Sequence, residues 1–389
     1  MATSGVRQTV GLFVHPIVDA TAMDIADVSM ALAIGQLVWG VFQPVFGAWA
    51  DKKGAFPVLL VGVIMLAGGQ LYTARAASFP SLILAQGLLS PAGAAAGSFA
   101  ILIGVIAGRL PPNKTSVASG LVNAGGSLGQ FVFAPIIQGL IAAKGYAGGL
   151  AFLALSSLAT AAPSWFLCRR NGREKRPPVG PAEAAESSGA VGLKGQLRLA
   201  VRHPSYLLLH VGFFTCGFHV AFLTTHLPGE IGLLGHGGAV SAISLSLIGL
   251  CNIGGSILAG VLGKYFRMKL ILAALYGFRA LTIIMYLLSP KIEMVFYLFA
   301  AATGLTWLAT VPPTAGLVGK LFGPRYLATL FGLTLFSHQI GGFLGAWFGG
   351  LAIQASGNLL RVWHLDIALA MLAAIVNLPI REGKIVRAA

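Results

Sequence analysis

Long apolar stretches recur along this chain at short intervals, and no other feature limits its fold as tightly. Blocks of roughly 20 residues with almost no charge are separated by short polar loops. A run of about 18 or more apolar residues is long enough to cross the ~30 Å hydrocarbon core as a helix. Lipid offers the backbone no hydrogen bonds, so a run of this kind must satisfy its own as a helix. The chain is 56% hydrophobic and only 10% charged, where soluble domains carry about 25% charged residues. The expected class is an all-α membrane protein.

The pattern predicts crossings over Ser29–Ala50 (segment 2), Phe56–Ala74, Pro80–Ala107, Ser116–Ala143 and Gly148–Cys168 (segments 3 to 6). After a polar stretch it predicts Tyr206–Leu227, Val240–Gly263, Leu270–Leu288, Met294–Val318, Tyr326–Gln354 and Trp363–Ile380 (segments 7 to 12). Gly5–Val18 reads as the outer part of a segment 1 too short to span at 1.5 Å per residue, so that segment is expected to be truncated. The three cysteines fall in or beside apolar segments, with no disulfide framework and no metal spacing.

The net charge of +15 would suit nucleic acid, but its distribution excludes that reading. Most Lys and Arg lie in the loops after segments 2, 4, 6, 8 and 10 and at the C-terminus, while Asp19, Asp24, Asp27, Glu230 and Glu293 lie on the opposite side. Basic loops stay cytoplasmic. The central loop and the C-terminus are therefore expected in the cytoplasm of a multi-pass inner-membrane protein. The stretch 169–204 reads as a cytoplasmic linker. Lys194, Arg198 and Arg202 recur every four residues beside Leu193, Leu197 and Val201, which predicts a short amphipathic helix on the inner leaflet or a solvated connector.

The linker divides the chain into an N-terminal six-helix half, 1–168, and a C-terminal one, 205–389. Gly47 and Gly260, which close segments 2 and 8, stand 213 residues apart; Gly120 and Gly332, in segments 5 and 11, stand 212 apart. Two pairs agreeing to one residue point to a duplicated six-helix unit, the architecture of alternating access around a midplane site.

After segment 2 the residues Gly47, Asp51, Lys52 and Gly54 form a G-x-x-x-D-K-x-G signature. With six plus six segments and a basic central loop, it resembles the major facilitator superfamily. That resemblance implies two six-helix bundles and a loop that braces the cytoplasmic gate. Within the superfamily, Lys114-Thr-Ser-Val-Ala118-Ser-Gly120, followed by Ala124-Gly125 and Gly129, is similar to the segment 5 signature of monocarboxylate transporters and their bacterial relatives. Thr9-Val-Gly11-Leu-Phe13 is similar to their segment 1. The family's acidic and arginine pair in segment 8 is replaced here by Asn252 and Ser256.

Ionisable groups at membrane depth are costly and are read as site candidates. Arg279 sits mid-bilayer in segment 9, with no acidic residue counted inside the other central segments, so it either meets a substrate anion or braces carbonyls of segments 8 or 10. Arg7 lies in a segment that lines the cavity in relatives. His219 and His226 share a face of segment 7 beside Cys216 and Phe222, and His219 and His338 are the proton-coupling candidates. The alternative for each is a neutral ring bonded to nearby backbone. Asn123, Ser127 and Gln130 repeat at i, i+4, i+7 in segment 5, to line the cavity or glue helices. Gln36 and Gln43 form a similar stripe; His210 and Asn252 rank lower. The candidate substrate site is thus Arg7, Asn123, Gln130, His219, Arg279 and His338.

The reading is a secondary transporter of a small organic anion, with a monocarboxylate first and protons as a coupling partner. No G-x-x-x-x-G-K-[ST] stretch for ATP occurs; no cofactor, metal or second copy is required, and an enzyme is not expected. The rival readings are efflux of a drug, siderophore or other amphiphile, and a non-transporting, receptor-like copy.

Overall fold

The computed structural model describes residues 1–98, 101–102, 112–169, 193–323 and 326–383, and every element among them is helical. α1 (Ala2–Gln8) passes through a 3-10 turn (Val10–Phe13) into α2 (Val14–Ala20). The helical run thus extends beyond the Gly5–Val18 expected for segment 1. α3 (Ile25–Lys53) starts at Asp24, whose side chain accepts from the Asp27 amide at 2.9 Å and satisfies one of the orphan N-terminal donors. α4 (Ala55–Thr73) follows after one residue, Gly54, at φ 88°.

Segment 4 is not one regular helix. α5 (Phe79–Leu82) widens into a π-helical stretch (Ile83–Leu89), returns to α6 (Ser90–Ala96) and ends at Gly97. Residues 99–100 and 103–107 of the expected segment lie outside those described. The π turn carries Gln86 onto α4, where its amide donates to Thr73 Oγ1 at 2.9 Å and Gln70 donates to Ser90 Oγ at 2.6 Å. An uncharged amide network therefore ties α4 to the α5–α6 run.

α7 (Pro112–Ala159) is broken at Gly145 (φ 69°) and continues into α8 (Ala161–Arg169). Segments 5 and 6 thus turn on a glycine at positive φ, which a side-chain-bearing residue would occupy only with strain. α9 (Leu193–Ala200) is the amphipathic helix the sequence predicts. Its Lys194 and Arg198 are exposed, whereas Leu197 and Ala200 pack against the bundle. Val201, the next apolar residue of that stripe, is 52% exposed just past the helix end.

α10 (Pro204–Leu233), α11 (Gly238–Leu262) and α12 (Met268–Leu288) follow, and segment 10 divides into α13 (Glu293–Thr306) and α14 (Val311–Phe322). The division precedes Pro312 and Pro313, which cannot donate to a preceding turn. α15 (Leu327–Ser356) ends at Gly357 (φ 66°) and α16 (Leu360–Asn377) completes the described helices. Gly145 and Gly357, 212 residues apart, both take a positive φ (69° and 66°), but only Gly357 is in the left-handed helical region; ψ is 176° at Gly145 and 7° at Gly357.

α10 runs along α15, which also packs on α3; α11 lies between α7 and α13; α12 pairs with α16; and the α1–α2 run touches α7 and α10. α10 meets α15 backbone to backbone. A Cβ on Gly217 would overlap the His338 carbonyl, and one on Gly341 or Gly345 the carbonyls of Phe214 or Phe218. Small residues let helices in lipid approach this closely. Gly217→Val is accordingly expected to cost about 1–3 kcal/mol through overpacking, read as a lower melting temperature in detergent. An unchanged melting temperature would show that the two helices separate freely.

Candidate functional site

Two polar clusters emerge, and they divide the sequence candidates between them. The first lies where the two sets of helices meet. Arg7 on α1 donates from Nη2 to Gln36 Oε1 on α3 at 2.9 Å, and its guanidinium carbon stands 3.6 Å from the centre of the Trp39 ring. Arginine is the cation best suited to stack on an indole while keeping donors free at the edge of its plane. Among the described residues no carboxylate pairs with it. Across the interface, Gln339 on α15 is fully buried and packs on Gly40 of α3. Its Nε2 lies 3.1 Å from His338 Nδ1, and the His338 ring stands 5.2 Å from that of Phe213. His338 is within electrostatic reach of both Arg7 and Arg279. His210 pairs with Ser337 Oγ at 2.5 Å.

A polar seam joins α7 to α11. Asn252 Nδ2 donates to Ser127 Oγ at 2.8 Å, while its Oδ1 accepts from the Leu308 amide at 2.9 Å. Ser246 Oγ donates to the Phe131 carbonyl at 3.0 Å. Ser127 therefore glues helices. Gln130 is buried beside it with no hydrogen-bond partner for its Nε2. The side chain of Asn123 lies outside the described residues.

The second cluster is buried inside the C-terminal helices. His219 Nδ1 on α10 lies 2.6 Å from Asp366 Oδ2 on α16, and both side chains are 0% exposed. Arg279 on α12 is 1% exposed. Its Nη2 donates to the carbonyls of Thr306 (2.7 Å) and Trp307 (3.3 Å), at the break between α13 and α14. Those carbonyls lack helical partners because α13 stops there, so the guanidinium completes the break. His219 lies within electrostatic reach of both Asp366 and Arg279. Cys216 Sγ closes the cluster, 3.3 Å from Thr310 Oγ1.

This arrangement corrects two expectations. An acidic residue does stand among the central segments: Asp366. The expected segment 12, Trp363–Ile380, holds Asp366 only three residues from its start, at the membrane edge, whereas α16 begins at Leu360 and carries Asp366 further in. His219 is bonded to that carboxylate, not to backbone. His226, by contrast, bonds the Ala346 carbonyl from Nε2 at 2.7 Å, so the two histidines face different partners and form no common ligand set. Arg279 has the carbonyl contacts of a brace.

Near the far end of α10, Glu230 Oε1 accepts from Trp363 Nε1 at 2.9 Å. Lys291, in the adjoining loop, donates to the Tyr286 and Leu287 carbonyls of α12 and to that of Ser289 just past its end. Burial pushes the Lys291 ammonium below its ordinary value, an effect that Glu230 opposes. Of the gate signature, Gly47 has no close neighbour, Lys52 is exposed and Gly54 makes the positive-φ turn; the side chain of Asp51 lies outside the described residues.

Known proteins agree with this architecture. The chain is 28% identical to monocarboxylate transporter 13 of Bos taurus, over 91% of this chain and 80% of that protein. It is 24% identical to the oxalate:formate antiporter of Oxalobacter formigenes, over 91% and 82%. Its fold matches a D-xylose-proton symporter (TM-score 0.76, 14% identity, 98% of this chain and 95% of that one). It also matches a bacterial homologue of the human lysosomal transporter Spinster in an inward-facing, unoccupied conformation (TM-score 0.71, 16% identity, 96% and 90%). Residues 1–346 match the pattern of the Major Facilitator Superfamily; the chain belongs to that superfamily and is a membrane transporter with its two six-helix bundles.

Proposed function

We propose that this transporter moves a small organic anion, a monocarboxylate first, across the inner membrane by alternating access between the halves 1–168 and 205–389. The observation that carries the reading is Arg7: a guanidinium at the interface between the halves, held by Gln36 and Trp39, with no carboxylate partner among the described residues. A cation left unneutralised at membrane depth is costly, and a carboxylate substrate would neutralise it through a forked hydrogen bond. The names of the relatives, a monocarboxylate transporter and an oxalate:formate antiporter, point to the same ligand chemistry. Gln36 bonds it directly, and Gln130, His338 and Gln339 are the further polar groups assigned to the proposed site. Arg279 stays in the substrate site only at second hand, through the helix break it holds open.

The helices meet across the interface at one end. Gln354 Nε2 donates to Asp24 Oδ2, a Cβ on Gly350 would overlap Ser29, and one on Gly11 would overlap the Thr224 carbonyl. At the basic end Gly47 and Gly332 have no such neighbours. With the basic end in the cytoplasm, this is an inward-facing state. Gly11→Val is expected to hold the outer ends apart. The check is a cysteine placed at position 21, which should become several-fold more reactive toward an external maleimide; unchanged labelling would refute the closed outer end.

If the cycle carries a proton, His338 at the interface and the His219–Asp366 pair behind it are the groups proposed to hold it. Uptake of labelled lactate, pyruvate, acetate and formate into proteoliposomes, with and without an inward proton gradient, tests the whole reading. Saturable uptake of at least one acid, stimulated by the gradient, is the expected outcome. A folded protein that takes up none of them would transfer the assignment to a larger, amphiphilic substrate.

A further inference from the structure

A cation-rich cavity lies at the basic end of the C-terminal helices, remote from Arg7. It encloses about 470 Å³ and is lined by Arg267, Lys269, Ile380, Arg381 and Glu382. Its charges are unequally satisfied. Glu382 is used twice: Oε1 accepts from the Lys269 amide at 2.8 Å and Oε2 from Lys320 Nζ at 3.1 Å. Lys269 Nζ donates to the Leu378 carbonyl at 2.7 Å. No carboxylate among the described residues pairs with Arg267 or Arg381. The backbone of Arg381 is fixed by its amide donating to Ser205 Oγ at 3.1 Å, so the two guanidinium groups are carried by anchored chain at the mouth of the cavity.

The surroundings say from which phase a ligand comes. Tyr265 and Phe266, immediately before Arg267, are 77% and 59% exposed. Aromatic side chains left bare at the end of a membrane helix belong at the headgroup level of the bilayer. A basic pocket between transmembrane helices, opening beside such residues, has the chemistry to receive an anionic lipid headgroup.

We infer that the Arg267–Arg381 cavity binds the phosphate of an anionic phospholipid, whose acyl chains lie along Tyr265 and Phe266. The inference stands apart from the identity of the transported solute. The bound headgroup would bridge the start of α12 to the end of α16, and so tie two elements of one half together at the membrane surface.

Native mass spectrometry of the purified full-length protein, titrated with phosphatidylglycerol or with phosphatidylcholine of identical acyl chains, tests it. Wild type should retain phosphatidylglycerol in preference to phosphatidylcholine. R267Q/R381Q should bind phosphatidylglycerol roughly 30-fold more weakly, about fivefold for each cation removed at the surface. Glu382→Gln changes affinity in the opposite direction, because it removes the one negative charge lining the cavity. Arg361→Gln, at the other end of the bundle, should leave retention unchanged. Equal retention of both lipids by wild type, or equal retention by wild type and R267Q/R381Q, would overturn the site. Displacement of phosphatidylglycerol by inorganic phosphate alone would overturn the lipid as occupant and assign the cavity to a soluble anion.

Discussion

Asp366→Ala should unfold this protein more readily than any other single substitution of a polar residue in it. The change leaves His219 buried without the carboxylate it is bonded to. Breaking a buried charge pair from one side costs about 3–5 kcal/mol. Asp366→Asn separates the two parts of the effect, since it keeps an acceptor for His219 and removes only the charge; it should fall between wild type and alanine. The decisive variant is a double one. Replacing both His219 and Asp366 with Leu removes the whole pair, and a buried ion pair exchanged for apolar residues of similar volume is commonly neutral or stabilising. Thermal unfolding in detergent should therefore show coupling between the two positions, with the double variant more stable than Asp366→Ala. If the single effects simply add, the cluster is not an electrostatic unit.

The second large effect is on transport. Arg7→Ala should abolish gradient-driven uptake of a carboxylate substrate while leaving the melting temperature close to wild type, because Arg7 holds only Gln36 and Trp39. Truncating one partner of a desolvated, hydrogen-bonded charge pair costs about 2–5 kcal/mol, so the transport efficiency should drop roughly 30-fold or more. Arg7→Lys keeps the charge but loses the fork and the planar stack, and should raise the concentration for half-maximal uptake. Arg279→Ala makes the contrast: its loss of activity should accompany a loss of stability, as befits a residue bonded to the α13–α14 break. Full uptake by Arg7→Ala would remove Arg7 from the site and with it the anion reading.

Most of the helical layout is written in local composition. An apolar run bounded by charged or glycine-rich turns has one low-energy form in lipid, so α3, α4, α11 and α12 begin and end within a few residues of expectation. What escaped was interruption and pairing. Pro312 and Pro313 announced the break after α13, yet the hydrophobicity across Trp307–Thr310 hid it. The π turn around Gln86 has no sequence mark, because it is set by the packing of Gln86 onto Thr73. Asp366 was visible as an acid in an apolar run, but a boundary three residues late left it at the membrane edge. Its partner lies 147 positions away, and no local pattern encodes such a meeting. The Arg7–Trp39 stack was half legible: the arginine stood out as an ionisable group in an apolar run, while nothing local marks Trp39 as its partner.

The burial of Arg279 and Asp366 in the same half also has an electrical meaning. A half that rocks across the membrane drags its ionised groups through the transmembrane field, where each elementary charge displaced across the full potential is worth about 2.3 kcal/mol per 100 mV. Opposite charges that ride together displace nothing net. That leaves Arg7, half-buried where the halves meet, as the charge on which the field is proposed to act. A carrier loaded with a monocarboxylate would cross the field nearly neutral, and the voltage would fall on the return of the empty one.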